Sequence, residues 1–240
     1  MAGYIGSKGS GIISGIGASI ADLNLTDKAL ANGTTEANKV LTADGNKDVT
    51  AIRNLTATGT VTAPGLKQAG LETIWVPAAA MYPSTTNPCS DLTQVETTAL
   101  RPDIKVLDFA ADADDFAQFS ISFPKSWNEG AITFQVFWTP STTNTGDCIW
   151  GLQGVSVADG ATIDVAFGTA VTVTDAGIGT VEDQQVSPAS SAVTITNAAV
   201  DTQTYFQIFR DADATGDTFT GVSRLLGIKL FFTTDAANDA

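Results

Sequence analysis

Ala131–Trp138 reads AITFQVFW, and its alternation decides the fold class. Ile132, Phe134, Val136 and Trp138 fall on one face of an extended chain, with Thr133, Gln135 and Phe137 on the other. A period of two over this length is the mark of a half-buried strand. Asp115–Phe123 (DFAQFSISF) repeats it, with Phe119, Ile121 and Phe123 opposed to Gln118, Ser120 and Ser122. Gly227–Phe232 (GIKLFF) does so again through Ile228, Leu230 and Phe232.

Further strands are expected at Ile104–Phe109, Cys148–Val157, Ala170–Thr174, Ala192–Thr196 and Tyr205–Arg210. Turn-rich stretches separate them, chiefly Pro140–Asp147, Asp175–Gly179 and Asp211–Asp217. A helical turn is expected near Ser90–Thr98. No strand alternates with a long amphipathic helix, which argues against a doubly wound α/β fold. The reading is all-β: a β-sandwich, with a jelly roll as the leading case. Its inward faces need bulky groups, so Phe119, Phe134, Trp138 and Trp150 are expected in the core. Trp75 and Trp127 fall near strand edges or turns and are the aromatics expected to be exposed, at a subunit interface or in a ligand groove.

The rest of the chain is differently made. Residues 1–70 hold one aromatic, Tyr4, whereas all four Trp, all twelve Phe and both Cys lie in 71–240. The first part has six Lys/Arg against five Asp/Glu, and the second six against twenty-one, within a total of −14. A nearly neutral arm therefore precedes an acidic body. The expected division is an anchoring arm at 1–36, a β-rich stalk or linker at 37–70 and a sandwich knob at 71–240. Short β-branched runs in the stalk (Lys39–Thr42, Asp48–Ile52, Thr58–Thr62) alternate with turn formers and carry too little side-chain volume to close a core alone.

Composition excludes several functions. The chain has no His, which removes the commonest general base and catalytic metal ligand. The acidic balance and the lack of a basic cluster argue against nucleic acid and anionic membranes as partners. Gly11, Gly15, Gly17 and Asp22 interrupt the apolar stretch Ile12–Leu25, so no secretory leader is expected there. Cys89 and Cys148 are expected as reduced thiols in or near the core, although a single bridge is also compatible with the sequence. No cofactor and no catalytic residue are assigned.

Acidic clusters are the remaining chemical candidates. Asp112, Asp114 and Asp115 precede a strand and read as a solvated turn, the alternative being a glycosidase-type carboxylate pair. Asp211, Asp213 and Asp217, with Thr215 and Gly216 between them, start like a calcium loop. Val222 then stands where a bidentate Glu is needed, so these three are cation candidates only and no metal is assigned.

Three stretches carry a family resemblance: Ile74–Cys89 (IWVPAAAMYPSTTNPC), Phe116–Trp138 and Leu225–Ala240 (LLGIKLFFTTDAANDA). The most specific is Phe123-Pro-Lys-Ser-Trp127-Asn-Glu-Gly130. The body resembles a domain of structural proteins in tailed bacteriophages, and the arm resembles attachment and stalk segments of phage fibre-type proteins. The resemblance implies a non-enzymatic virion protein, a homotrimer with a jelly-roll-like knob. One placement is a capsid decoration (cement) protein on the outer surface of the head, bound to the major capsid protein. The alternative is a tail or collar fibre whose knob binds host surface glycans. On the first, the arm residues Tyr4, Ile5, Ile12, Ile13, Ile16, Ile20, Leu23 and Leu25 are the expected contacts to the shell.

Overall fold

The computed structural model describes residues 58–60 and 70–234. The arm contacts from Tyr4 to Leu25 and nearly all of the stalk lie outside the described residues. Eleven strands are present among the described residues: β1 (Gly70–Pro77), β2 (Tyr82–Pro83), β3 (Thr93–Glu96), β4 (Asp103–Phe109), β5 (Asp115–Ile121), β6 (Thr133–Pro140), β7 (Asp147–Val157), β8 (Val171–Ala176), β9 (Gln185–Val186), β10 (Gln203–Arg210) and β11 (Ser223–Thr234). Among the described residues, no helix is long and apolar enough to cross a membrane.

The strands form two antiparallel sheets. One runs β3-β4-β11-β6-β9, with β1 also on β11, and the other β2-β5-β10-β7-β8. The eight strands from β4 to β11 thus split into β4-β11-β6-β9 and β5-β10-β7-β8, which is the jelly-roll arrangement of two interleaved Greek keys. The all-β jelly-roll sandwich expected from the alternation is the observed fold.

Alternation becomes burial as expected. Phe134, Val136 and Trp138 of β6 and Ile228, Leu230 and Phe232 of β11 face inward and are buried. They meet Ala117 and Phe119 of β5, Trp150 and Leu152 of β7, and Phe206 and Ile208 of β10 in one core. Two aromatic groups fill it. Trp138, Trp150, Phe109 and Phe219 pack at centroid distances of 5.0–6.2 Å. Phe123, Trp127, Phe206 and Phe232 form the second, with Phe123 stacked on Trp127 at 4.0 Å. Cys89 and Cys148 are buried and unpaired, as the sequence reading favoured. Burial pushes both thiols up to about 12.

Three local expectations are corrected. Trp127 is not exposed; its relative accessibility is 1%. Its backbone N–H closes a turn by donating to Pro124 O (2.9 Å), which folds the indole back onto Phe123 and sets Trp127 beside Thr234. Ser90–Thr98 is no helical turn, because Thr93–Glu96 pairs with Asp103–Ile104-Lys105-Val106 as an edge strand. Ala192–Thr196 is no strand either, and contributes only isolated bridges through Val193 and Thr196. Val193 exchanges backbone hydrogen bonds with Ile132, whereas Thr196 bridges Val155 of the other sheet, so no two neighbouring residues pair with the same strand. Serine hydroxyls serve the adjoining edge of β6 instead: Phe134 N donates to Ser190 Oγ and Val136 N to Ser187 Oγ, both at 2.9 Å.

The two ends of the sandwich differ. Antiparallel pairing puts loops 110–114, 141–146, 177–184 and 211–222 at one end, because Phe109, Pro140, Arg210 and Ser223 terminate their strands there. The chain enters β1 and leaves β11 at the other end, where Gly70 and Thr234 are paired. The four loops of the far end contain seven carboxylates (Asp112, Asp114, Glu182, Asp183, Asp211, Asp213, Asp217) and no Lys or Arg.

One buried cation organises that end. Arg210, the last residue of β10, has 0% accessibility, and all five of its guanidinium N–H groups donate. Nε and Nη2 bind Asp217 Oδ2 and Oδ1 at 3.0 and 2.7 Å. Nη1 donates to Ala110 O (2.9 Å) and Gly221 O (2.8 Å), and Nη2 also to Phe219 O. The guanidinium lies 5.5 Å from the centre of the Phe219 ring. Asp217 Oδ2 also accepts Ile149 N at 2.9 Å. Removing one member of such a pair strands a buried charge. Arg210→Met or Asp217→Ala should therefore lower the unfolding free energy by about 3–5 kcal/mol. Urea unfolding followed by tryptophan fluorescence measures this, and a loss below about 1 kcal/mol would contradict the assignment.

Candidate functional site

The structure brings the two acidic sequence clusters together. Asp114, from the β4–β5 loop, and Asp211 and Asp213, from the β10–β11 loop, place carboxylate oxygens within 4.8 Å of one another. Asp213 N donates to Asp114 Oδ1 (3.2 Å), tying the loops across the end of the sandwich. The cation candidates from the sequence were Asp211, Asp213 and Asp217, and here the structure departs. Both oxygens of Asp217 are taken by Arg210, so Asp114 occupies the third place instead. Asp115 is also committed locally, since its Oδ2 accepts Ala110 N at 2.6 Å. Three carboxylates fit a hard, oxygen-preferring cation such as calcium in ligand type, but fall short of the 6–8 oxygens it usually takes.

Asp211 resists ionisation in this setting. Burial raises Asp211 above the ordinary carboxylate value, and the charges of Asp114 and Asp213 add to it. Burial likewise raises Asp115, Asp108 and Asp175; opposing it are, first, the Ala110 N–H, the Arg224 charge and the Trp138 indole N–H respectively.

A different surface lies on the outward face of the six-stranded sheet. β11 changes partner along one edge, pairing with β4 through Ser223–Leu225 and with β1 through Gly227–Thr234. A bulge at Leu226 marks the change. The fork opens a groove of about 340 Å³, lined by Trp75, Ile104, Phe137, Gln184, Leu226 and Lys229. Trp75 is 45% exposed, in keeping with its sequence expectation. Its ring meets Phe137 edge to face at 5.0 Å, and the Lys229 ammonium sits 5.0 Å from the Phe137 ring centre.

Gly227 makes this arrangement possible. A Cβ there would come within 2.6 Å of the Trp75 ring and 2.7 Å of Val76 O. None of the acidic-cluster residues lines this groove or the 320 Å³ cavity bounded by Ser156, Ala161, Val165 and Asn197. The sequence signals for the groove were the exposed Trp75 and a glycine within a strand, which often marks a bulge or a close approach. The change of strand partner that opens the groove has no sequence signal of its own.

No family model matches the chain, and no curated protein does. Solved structures with a similar strand arrangement include a family 35 carbohydrate-binding module from Clostridium thermocellum. That match has 8% identity and a TM-score of 0.38, and covers 66% of this chain and 97% of the module. A second is the CBM35 from Cellvibrio japonicus Abf62, at 10% identity and a TM-score of 0.37, covering 70% of this chain and 100% of that one. A third is a cycloisomaltooligosaccharide glucanotransferase from Paenibacillus sp., at 12% identity and a TM-score of 0.35. It covers 62% of this chain but only 17% of the enzyme.

Two outcomes are expected from this geometry. A carboxyl raised in the folded state favours folding below its unfolded value of about 4, and that contribution is lost as pH rises through the raised value. Four raised carboxyls should make the melting temperature climb as pH falls from 7 toward the unfolded value of about 4 in chelator-treated buffer, and Asp211→Asn should raise it at pH 7. Calorimetry showing a fall over that range would contradict the assignment. Gly227→Ala should displace the indole, seen as a shifted Trp75 emission and a loss of about 1–3 kcal/mol on urea unfolding, the usual cost of overpacking. An unchanged spectrum and stability would show that the indole does not lie across Gly227.

Proposed function

We propose that this chain is a non-enzymatic structural protein of a tailed-phage virion. Residues N-terminal to the sandwich fasten it to the major capsid protein on the outer surface of the head, and the jelly roll is displayed as a homotrimer. The observation that carries this reading is the polarity of the knob. The chain enters and leaves at one end, where Gly70 faces Thr234. The seven carboxylates lie in the loops of the opposite end, with no Lys or Arg among them. A domain held by its entry end turns such a face toward solvent, where like charge keeps neighbouring knobs and particles apart. Low aromatic content in residues 1–70 is suited to an arm that completes its packing on partner chains rather than within itself. Three arms acting together would raise avidity by about 10²–10⁴-fold where the spacing matches.

A second reading is a tail or collar fibre that touches host glycans. The half-exposed Trp75 in its groove favours it. Immunogold labelling of purified particles separates the two, since label over the head supports decoration and label at the tail or collar supports the fibre. Deleting residues 1–36 should leave a folded knob that no longer co-sediments with particles lacking the protein. Binding by the truncated chain at full-length occupancy would overturn arm-based attachment.

A further inference from the structure

The groove beside Trp75 has the chemistry of a receptor for one kind of ligand. Its floor and walls are apolar: Ile104, Leu226, the Phe137 ring and an indole presenting a solvent-facing surface. The indole is held in place, because it lies across the bare Gly227 backbone and abuts Phe137. Little side-chain freedom is then lost when something stacks on it. Flat ligands bearing axial C–H groups, as pyranose rings do, suit such a surface.

The polar groups narrow the choice. Trp75, Lys229 and Gln135 stand in one row across β1, β11 and β6, as directly opposed residues. Gln135 Nε2 donates to Ser187 O (2.9 Å), which fixes that amide at the end of the row. Gln184 adds a second amide at the rim. Lys229 is the one charged residue lining the groove. Among the described residues its ammonium has no carboxylate within ion-pair distance, although the chain carries twenty-six acidic residues. A cation left over in so acidic a protein, beside an exposed indole, is complementary to a ligand that brings both a ring and a negative charge.

We propose that this groove binds a carboxylated sugar unit of a polysaccharide, a uronic- or sialic-acid-type residue. The pyranose ring stacks on Trp75, the carboxylate meets the Lys229 ammonium, and the Gln184 amide takes a ring hydroxyl. The site deepens the fibre reading by naming a residue set and a ligand class, and it operates equally on a knob carried by the head. Particle labelling and glycan binding therefore fail independently.

The test uses the full chain on an array of oligogalacturonates, hyaluronan fragments and sialyl oligomers beside neutral cello-, xylo- and malto-oligosaccharides. Hits are titrated by tryptophan fluorescence. Trp75 is suited to this readout because the other three indoles are buried. Expected are saturable binding of carboxylated oligosaccharides, its loss in Trp75→Ala, and a five- to tenfold weakening in Lys229→Gln. The carboxyl-reduced form of the same sugar should bind wild type and Lys229→Gln alike. Thermal melting confirms that both variants are folded. Three results would overturn the proposal: no carboxylated sugar bound at millimolar concentration, equal binding by Lys229→Gln, or a smaller native mass for Trp75→Ala. The last would assign the face to contact between copies of the chain.

Discussion

A single buried guanidinium holds the far end of this protein together. Arg210 has no exposed surface, and its five donors reach acceptors in two loops: the carbonyl of Ala110 in one, and the Asp217 carboxylate and the carbonyls of Phe219 and Gly221 in the other. A charge out of water is tolerated only when it is fully paired. The β4–β5 and β10–β11 loops must therefore close together around it. Once they do, Asp114 is carried to Asp211 and Asp213, and Phe219 is pressed against Trp138. The acidic end is thus a consequence of how the sandwich is closed.

Much of the fold was legible because its inward faces are simple. AITFQVFW, DFAQFSISF and GIKLFF each state which face is buried, and the core contains those residues. What was not legible was set at a distance. β3 is a short edge strand of four residues without an apolar alternation of its own, and it exists because β4 offers it a free edge. Trp127 looked exposed beside Pro124 and Gly130, yet that same turn returns it to the core. Asp217 reads as the third ligand of a local loop, but Arg210, seven residues earlier, holds both its oxygens. Asp112–Asp115 and Asp211–Asp217 read as unrelated clusters, because about a hundred residues separate them and it is the pairing of β5 with β10 that brings them together. The place of Trp75 near a strand edge marks it as exposed, but its groove depends on the change of partner along β11.

The three surfaces that matter are then separately placed. The entry end, closed by Phe123 and Trp127, receives the chain from residue 70. The far end gathers negative charge around Arg210. The outward face of the six-stranded sheet carries, between them, an indole and an ammonium that no carboxylate among the described residues pairs with. On this account the sandwich needs nothing from the preceding residues for its core, and the role proposed for those residues is attachment.

Self-sufficiency of the sandwich is the central claim, and calorimetry of the 70–240 fragment beside the full chain tests it most directly. The account predicts one cooperative transition, with a midpoint within about 3 °C of the full chain's, a difference worth about 1 kcal/mol in a domain of this size. A fragment that melts much lower, or shows no cooperative transition, would mean that residues 1–69 complete the core rather than fasten it to a partner.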